Sequence, residues 1–159
     1  MDVGFTEEQE MLKKSARDFL EKEFPKAVLR EMEKDEKGYT QELWRKMVDV
    51  GWLGLAIPEK YGGADQSFLD LVILLEEMGR AALISPFFTA VVLGALPILN
   101  AGTDEQKSEL LPKIANGELI ITLALNEPGV NYYEPGIATT AKADGDTFVI
   151  SGTKVFVPY

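Results

Sequence analysis

The sequence predicts an α+β chain, with an N-terminal all-α helical bundle over residues 1–117 and the first strands of an antiparallel β domain over 118–159. Two observations carry this expectation. Up to Gly117, apolar residues recur every three or four positions between capping residues, the spacing of helices that bury one face. After Gly117 the texture changes to short apolar runs and alternation separated by Gly-containing pairs, which is the pattern of strands and hairpins.

Thr6 and Gln9 have capping-box spacing. Met11, Leu12, Ala16, Phe19 and Leu20 then supply the apolar face of a helix from Thr6 to about Phe24, with Pro25 near its end. Lys26 to Lys37 is highly charged and predicts a second helix with Val28, Leu29 and Met32 as its apolar face, stopped by Gly38. Thr40 caps a third helix whose buried face is Leu43, Trp44, Met47, Val48 and Val50, and Gly51 ends it. GWLGLAIPEKYGG at 51–63, with four glycines and a proline, predicts a packed interdomain loop with its apolar side chains turned inward. It lacks the Lys-Ser/Thr pair of a phosphate-cradling loop.

Ser67 and Asp70 open a fourth helix, FLDLVILLEEMGRAA, apolar around most of its circumference and therefore expected to be central. Glu76 and Glu77 in it point about 100° apart, so they make a solvated or salt-bridged patch and not a carboxylate pair. From Ala81 to Thr103 no side chain is charged. The length alone would suit a membrane span. Against a span, Ser85-Pro86 reads as a helix start, and Pro97 should interrupt the helix about one turn before its end. Apart from Arg80, the flanks also lack basic anchors and aromatic belts. The expectation is a core helix from Pro86 to Leu96, buried on all sides, and no membrane association. Thr103 and Gln106 cap a sixth helix that Pro112 should kink or shorten and that Gly117 ends.

Residues 119–125, LIITLAL, predict a buried strand. Ile137–Ala143, Thr147–Ile150 and Thr153–Val157 predict three more, joined by Asp144-Gly145 and Ser151-Gly152. Between them lie two Glu-Pro-Gly triplets, at 127–129 and 134–136, whose flanks do not match and therefore do not mark a duplication. The last predicted strand ends just before Tyr159 and would leave an exposed edge. Either a longer chain or a partner is expected to complete the sheet.

Composition narrows the chemistry. Net charge is −10 and there is no block of basic residues, so nucleic acid and anionic lipid are poor partners. The chain has no Cys and no His, which removes disulfides, thiolate nucleophiles, the usual triads and the commonest metal ligands. Acid–base chemistry would fall to Asp, Glu, Lys or Tyr. The acidic start, MDVGFTEEQE, is not a signal peptide, so a cytoplasmic location is expected.

Four stretches in series resemble the N-terminal part of the acyl-CoA dehydrogenase family. They are Phe5-Thr6-Glu7-Glu8-Gln9; GWLGLAIPEKYGG at 51–63; AGTDEQKSELLPKIANGE at 101–118; and LNEPG at 125–129 with GDTFVISGTKVFV at 145–157. The resemblance covers essentially the whole chain. It implies an N-terminal helical domain, a middle β domain and a C-terminal four-helix domain. It also implies FAD as cofactor and oxidation of an acyl-CoA thioester to the 2-enoyl-CoA. In such enzymes a carboxylate removes the α-proton while hydride leaves the β-carbon for the flavin N5. The usual catalytic Glu lies in the C-terminal domain, so the resemblance assigns no catalytic residue here, and surface solvation accounts better for the Glu residues present.

The resemblance also nominates site residues. Backbone groups of Leu123 and Leu125, with Asn126 in place of the family's Thr, would meet the flavin ring. Asn131 replaces a Gly, and Tyr132 replaces the Ser that meets the acyl-CoA, which nominates Tyr132 as substrate-binding. In the family's Lys-x-Trp-Ile-Thr stretch, Phe156 stands for the Trp and Pro158 for the Thr, losing an N–H and a hydroxyl. Strand alternation would put Lys154, Phe156 and Pro158 on one face. Taken without the resemblance, Phe156 is a plain sheet-core aromatic. Expected partners are a homotetramer or a heteromer with a paralogue, and an electron-transferring flavoprotein as acceptor. The departures also fit a degenerate, non-catalytic subunit that assembles with an active paralogue.

Overall fold

The computed structural model describes residues 4–32, 34, 38–129 and 136–159. The chain divides into two compact units, Met1–Ile121 and Thr122–Tyr159.

The first unit is helical: α1 (Glu7–Glu23), α2 (Lys26–Met32), α3 (Gln41–Asp49), α4 (Phe68–Arg80), α5 (Leu96–Ala101) and α6 (Asp104–Ala115). Three of these starts carry the complete capping box that satisfies two orphan N–H groups at once: Thr6 with Gln9, Ser67 with Asp70 and Thr103 with Gln106. The Thr40 hydroxyl accepts the Leu43 N–H at the head of α3. Gly51, with φ +77°, takes the left-handed conformation just beyond that helix, as a terminating glycine does. The last part of the helix expected over 26–37 falls on residues 33 and 35–37, outside the described residues.

The uncharged segment departs from expectation. A π-helical stretch, Thr89–Ala95, runs directly into α5, and Pro97 does not break it. Leu96 N–H bonds Val91 O, one residue further back than in an α-helix. Pro97 thus falls in the first turn of α5, where a missing N–H costs little. Nor is this helix buried all round, because half of Phe88 is exposed. No helix among the described residues is long and apolar enough to cross a membrane. Pro112 likewise does not shorten α6, which continues to Ala115.

Helix α4 buries Leu71, Ile73, Leu74, Glu77 and Met78 but exposes Phe68, Leu69 and Val72, so it is central on one face only. Its buried face lies along α1 in the same direction: Gln9 pairs with Asp70, Arg17 with Glu77 and Glu21 with Arg80. Glu77 is 1% exposed. One Glu77 oxygen accepts Arg17 Nη2 at 2.7 Å, and the other accepts Arg80 Nε at 2.6 Å and Arg17 Nε at 3.1 Å. Its neighbour Glu76 stays in water beside Lys13. The expected Glu76-Glu77 patch therefore divides into a solvated and a buried carboxylate.

One core joins α1, α3 and α4 through Leu20, Trp44, Leu53, Leu71 and Phe87. A second joins Ile57 and Tyr61 to Leu111, Ile114 and Ala115 of α6. The 51–63 segment is thus packed inside the helical unit, as two 3₁₀ turns, Trp52–Gly54 and Glu59–Tyr61. It is folded back on itself by bonds from Ala64 N to Gly54 O and Asp65 N to Ile57 O. Gly63 allows this: a Cβ there would lie 1.9 Å from Ile57 O. Leu119, Ile120 and Ile121 pack on the two cores. No strand forms over 119–125.

The second unit holds a two-stranded antiparallel sheet, β1 (Thr140–Asp144) with β2 (Thr147–Ser151). Asp144 pairs with Thr147, so the loop is Gly145-Asp146, not Asp144-Gly145. Gly145 has φ +60°, the left-handed first position that a two-residue hairpin needs. The expected strands at 119–125 and 153–157 do not form a ladder. Among the described residues, the backbone link near them is Val155 N–H to the O of Asn126, just past residue 125, at 2.9 Å.

Replacing Gly63 by Ala should destabilise the helical unit by at least about 1–3 kcal/mol, because backbone must move, measured as a fall in the urea midpoint. Arg17, then Arg80, hold the Glu77 carboxyl down at about 2 from its ordinary 4.5, against desolvation. The ionised form is the one the fold favours, so the contribution is complete above pH 4.5 and is lost as pH falls toward 2. Glu77→Gln should lower stability at neutral pH by about 1–3 kcal/mol, less than for a fully buried pair because both guanidinium groups reach water. Chemical denaturation of the two proteins should converge as pH falls through that window.

Candidate functional site

Residues 123–126 form no strand. Leu123 is 39% exposed and Leu125 60%, so neither belongs to a buried strand. A strand needs a partner row of N–H and C=O groups, and among the described residues the N–H groups of Leu123, Ala124 and Leu125 have no acceptor. The Asn126 side chain is exposed. Its carbonyl accepts Val155 N–H, while Leu125 O accepts Lys154 Nζ at 3.3 Å. These bonds bring the two nominated stretches, 123–126 and 154–156, side by side.

Phe156 is 88% exposed with φ +54°, so it is not a sheet-core aromatic. A left-handed backbone at a bulky residue is unusual and strained. It breaks the strand alternation expected across Lys154, Phe156 and Pro158. Pro158 is half-buried. Asn131 and Tyr132 lie outside the described residues.

Sequence reasoning missed the residue that links these stretches. Glu127 is 7% exposed, contrary to the solvated role expected for the glutamates. Its carboxylate accepts Ala138 N–H at 2.6 Å, Thr139 N–H at 3.2 Å, the Thr139 hydroxyl and Lys154 Nζ at 2.6 Å. Gly129, with φ +76°, turns the chain just after it. Lys154 first, then the Thr139 hydroxyl and the Ala138 N–H, lower the Glu127 carboxyl from 4.5 to about 2. Such a group is a poor proton acceptor near neutral pH. The available signal was the pairing of an acidic residue before Pro-Gly with a lysine 27 residues on. Sequence separation hid it. Among the described residues no group of three or more acidic side chains is arranged to hold a metal ion.

A helical unit followed by a small β unit, with two stretches linked by an ion pair on a buried carboxylate, has clear relatives. The family model described as "Acyl-CoA dehydrogenase, N-terminal domain" matches residues 6–118. The chain belongs to the acyl-CoA dehydrogenase family. A 3-(aryl)acrylate reductase of Clostridium sporogenes is 35% identical over 96% of this chain and 41% of its own length. A caffeyl-CoA reductase–Etf complex subunit, CarC, of Acetobacterium woodii is 34% identical over 96% and 41%. Among solved structures, the ChsE4-ChsE5 complex of Mycobacterium tuberculosis matches with TM-score 0.86, 28% identity and coverage of 99% and 42%. An acyl-CoA dehydrogenase of Bacillus anthracis complexed with FAD matches with TM-score 0.84, 31% identity and coverage of 96% and 27%. The chain therefore spans about two fifths of the length of the curated relatives it matches.

The Glu127 carboxyl should titrate with a midpoint near 2 by carbon-detected NMR. Lys154→Met should move that midpoint back toward 4.5, because the lysine is the largest cause of the shift.

Proposed function

We propose that this chain contributes the helical and first β part of an FAD-dependent acyl-CoA dehydrogenase that oxidises an acyl-CoA thioester to the 2-enoyl-CoA. The single observation that carries this is the juxtaposition of residues 123–126 with 154–156, two stretches far apart in sequence that the family resemblance assigns to one cofactor. The chemistry of the stretches fits a flavin. Leu123 to Leu125 offer three N–H donors with no acceptor among the described residues, Asn126 an amide that both donates and accepts, and Phe156 an exposed ring face. FAD, when bound, supplies the hydride acceptor.

The chain's own residues would hold and orient. The Leu123 and Leu125 backbones and the Asn126 amide would hydrogen-bond the polar edge of the ring system, and Phe156 would cover an apolar face. Pro158 adds no donor. Tyr132 would border the acyl-CoA. Glu127 is not the base that takes the α-proton, because its oxygens already accept four donor groups and its carboxyl is held near 2. The proton acceptor would come from outside these residues. An electron-transferring flavoprotein is the expected acceptor, in keeping with the Etf-complex relative.

A second reading has its own support. Phe156 and Pro158 remove two donors where the family has Trp and Thr, as expected of a subunit that has yielded part of its flavin contacts to a paralogue. The matched Mycobacterium tuberculosis structure is a complex of two components, ChsE4 and ChsE5, which is in keeping with a heteromer.

The protein purified natively, with whatever accompanies it, should show the two flavin absorbance bands between about 300 and 550 nm and release near-stoichiometric FAD on denaturation. A preparation that is colourless, and stays so after incubation with FAD, would favour the non-catalytic subunit.

A further inference from the structure

The buried Glu127 lies where three parts of the second unit converge. It follows Asn126 directly in the chain, accepts both N–H groups of the turn into β1 (Ala138 and Thr139), and is ion-paired to Lys154, two residues before Phe156. Its side chain is 4% exposed and that of Lys154 25%. Lys154 reaches both Glu127 and Leu125 O, so one ammonium ties the carboxylate and the 125 carbonyl to the 154–156 stretch. The approach on the hairpin side is tight as well. A Cβ on Gly152 would lie 2.3 Å from Thr139 Oγ1 and 2.8 Å from Thr139 Cα, so only glycine lets Thr139 sit beside the carboxylate.

An exposed salt bridge would have little influence on geometry. This one is different. Removing Lys154 leaves the buried Glu127 carboxylate without its counter-charge, and removing Glu127 leaves Ala138, Thr139 and Lys154 without their shared acceptor. Apart from the bond between Val155 N–H and Asn126 O, the two stretches have only side chains to fix their register.

We propose that Glu127, clamped by Lys154 and Thr139, is a positioning residue that sets the register of residues 123–126 against 154–156, and so makes the Asn126 amide and the Phe156 ring two walls of one site. The flavin half of this statement rests on the function proposed above; the register half does not. Glu127 touches no ligand in this account and acts only through its neighbours.

The test uses the natively purified full chain with Glu127→Gln, Lys154→Met, Lys154→Arg and Gly152→Ala, and has two readouts. Amide hydrogen exchange comes first. Glu127→Gln, Lys154→Met and Gly152→Ala should each speed exchange at Ala138, Thr139 and Val155 by at least tenfold, with the amides of α1 and α4 unchanged as a folding control. Lys154→Arg, which keeps a donor cation, should restore most of the protection. Titration with FAD comes second. Glu127→Gln should bind at least tenfold more weakly than the unaltered chain and shift the long-wavelength flavin band, with Lys154→Arg close to the unaltered protein. Unchanged exchange at Val155 in Glu127→Gln would overturn the clamp. Changed exchange with an unchanged FAD affinity and band would overturn the flavin half and leave the ion pair a merely structural bond. If the unaltered chain binds no FAD, the dehydrogenase reading fails and the exchange data alone decide the register half.

Discussion

A carboxylate removed from water must keep partners for both oxygens, and each unit of this chain is arranged around one that does. In the helical unit, Glu77 is satisfied from α1 and from its own helix. Its bonds can form only if α1 and α4 lie side by side, in one direction and at one rotation. Slipping α4 by one residue would leave Glu77 desolvated and unpaired, at a cost larger than the gain from any single apolar contact. The apolar faces of α1 and α4 explain why the helices associate. The buried charge explains why they associate in one way only. The same condition recurs at Glu127, where the donors come from backbone and side chain instead of paired helices.

This division accounts for what could be foreseen. Helix starts were legible because a capping box is local: Thr6, Ser67 and Thr103 each find a partner three residues on. The hairpin was legible for the same reason, apart from a one-residue shift of its loop from Asp144-Gly145 to Gly145-Asp146. Pro97 was misread because a proline at one position is compatible with two backbones. It breaks a continuing α-helix, but it is harmless in the first turn after a π-helical stretch. The strands expected at 119–125 and 153–157 were misread for a related reason. Apolar runs report burial or pairing with something, and Leu119–Ile121 find their burial on the helical cores without a ladder.

The candidate site was legible in part. Asn126, Phe156 and Pro158 were nominated through motif positions, and the structure links the 123–126 and 154–156 stretches through the Val155 N–H. Glu127 was not found, although it lies in the middle of the quoted Glu-Pro-Gly. Single-residue reasoning treats a glutamate as a surface group by default, and most are. Nothing local distinguishes this one. Its four donor groups come from residues 11, 12 and 27 positions away, and only the fold assembles them.

The positions that depart from the family pattern fall unevenly about this clamp. Asn126 and Phe156 alter groups that would touch a ligand, while Glu127, Lys154 and Gly152 preserve the frame that positions them. Glu127 ties the 123–126 and 154–156 stretches to one another and to the turn into β1. Having Phe156 and Pro158 where the family has Trp and Thr removes donors but leaves the Glu127–Lys154 frame intact. Among the described residues that frame leaves three N–H groups without acceptors and one exposed aromatic ring.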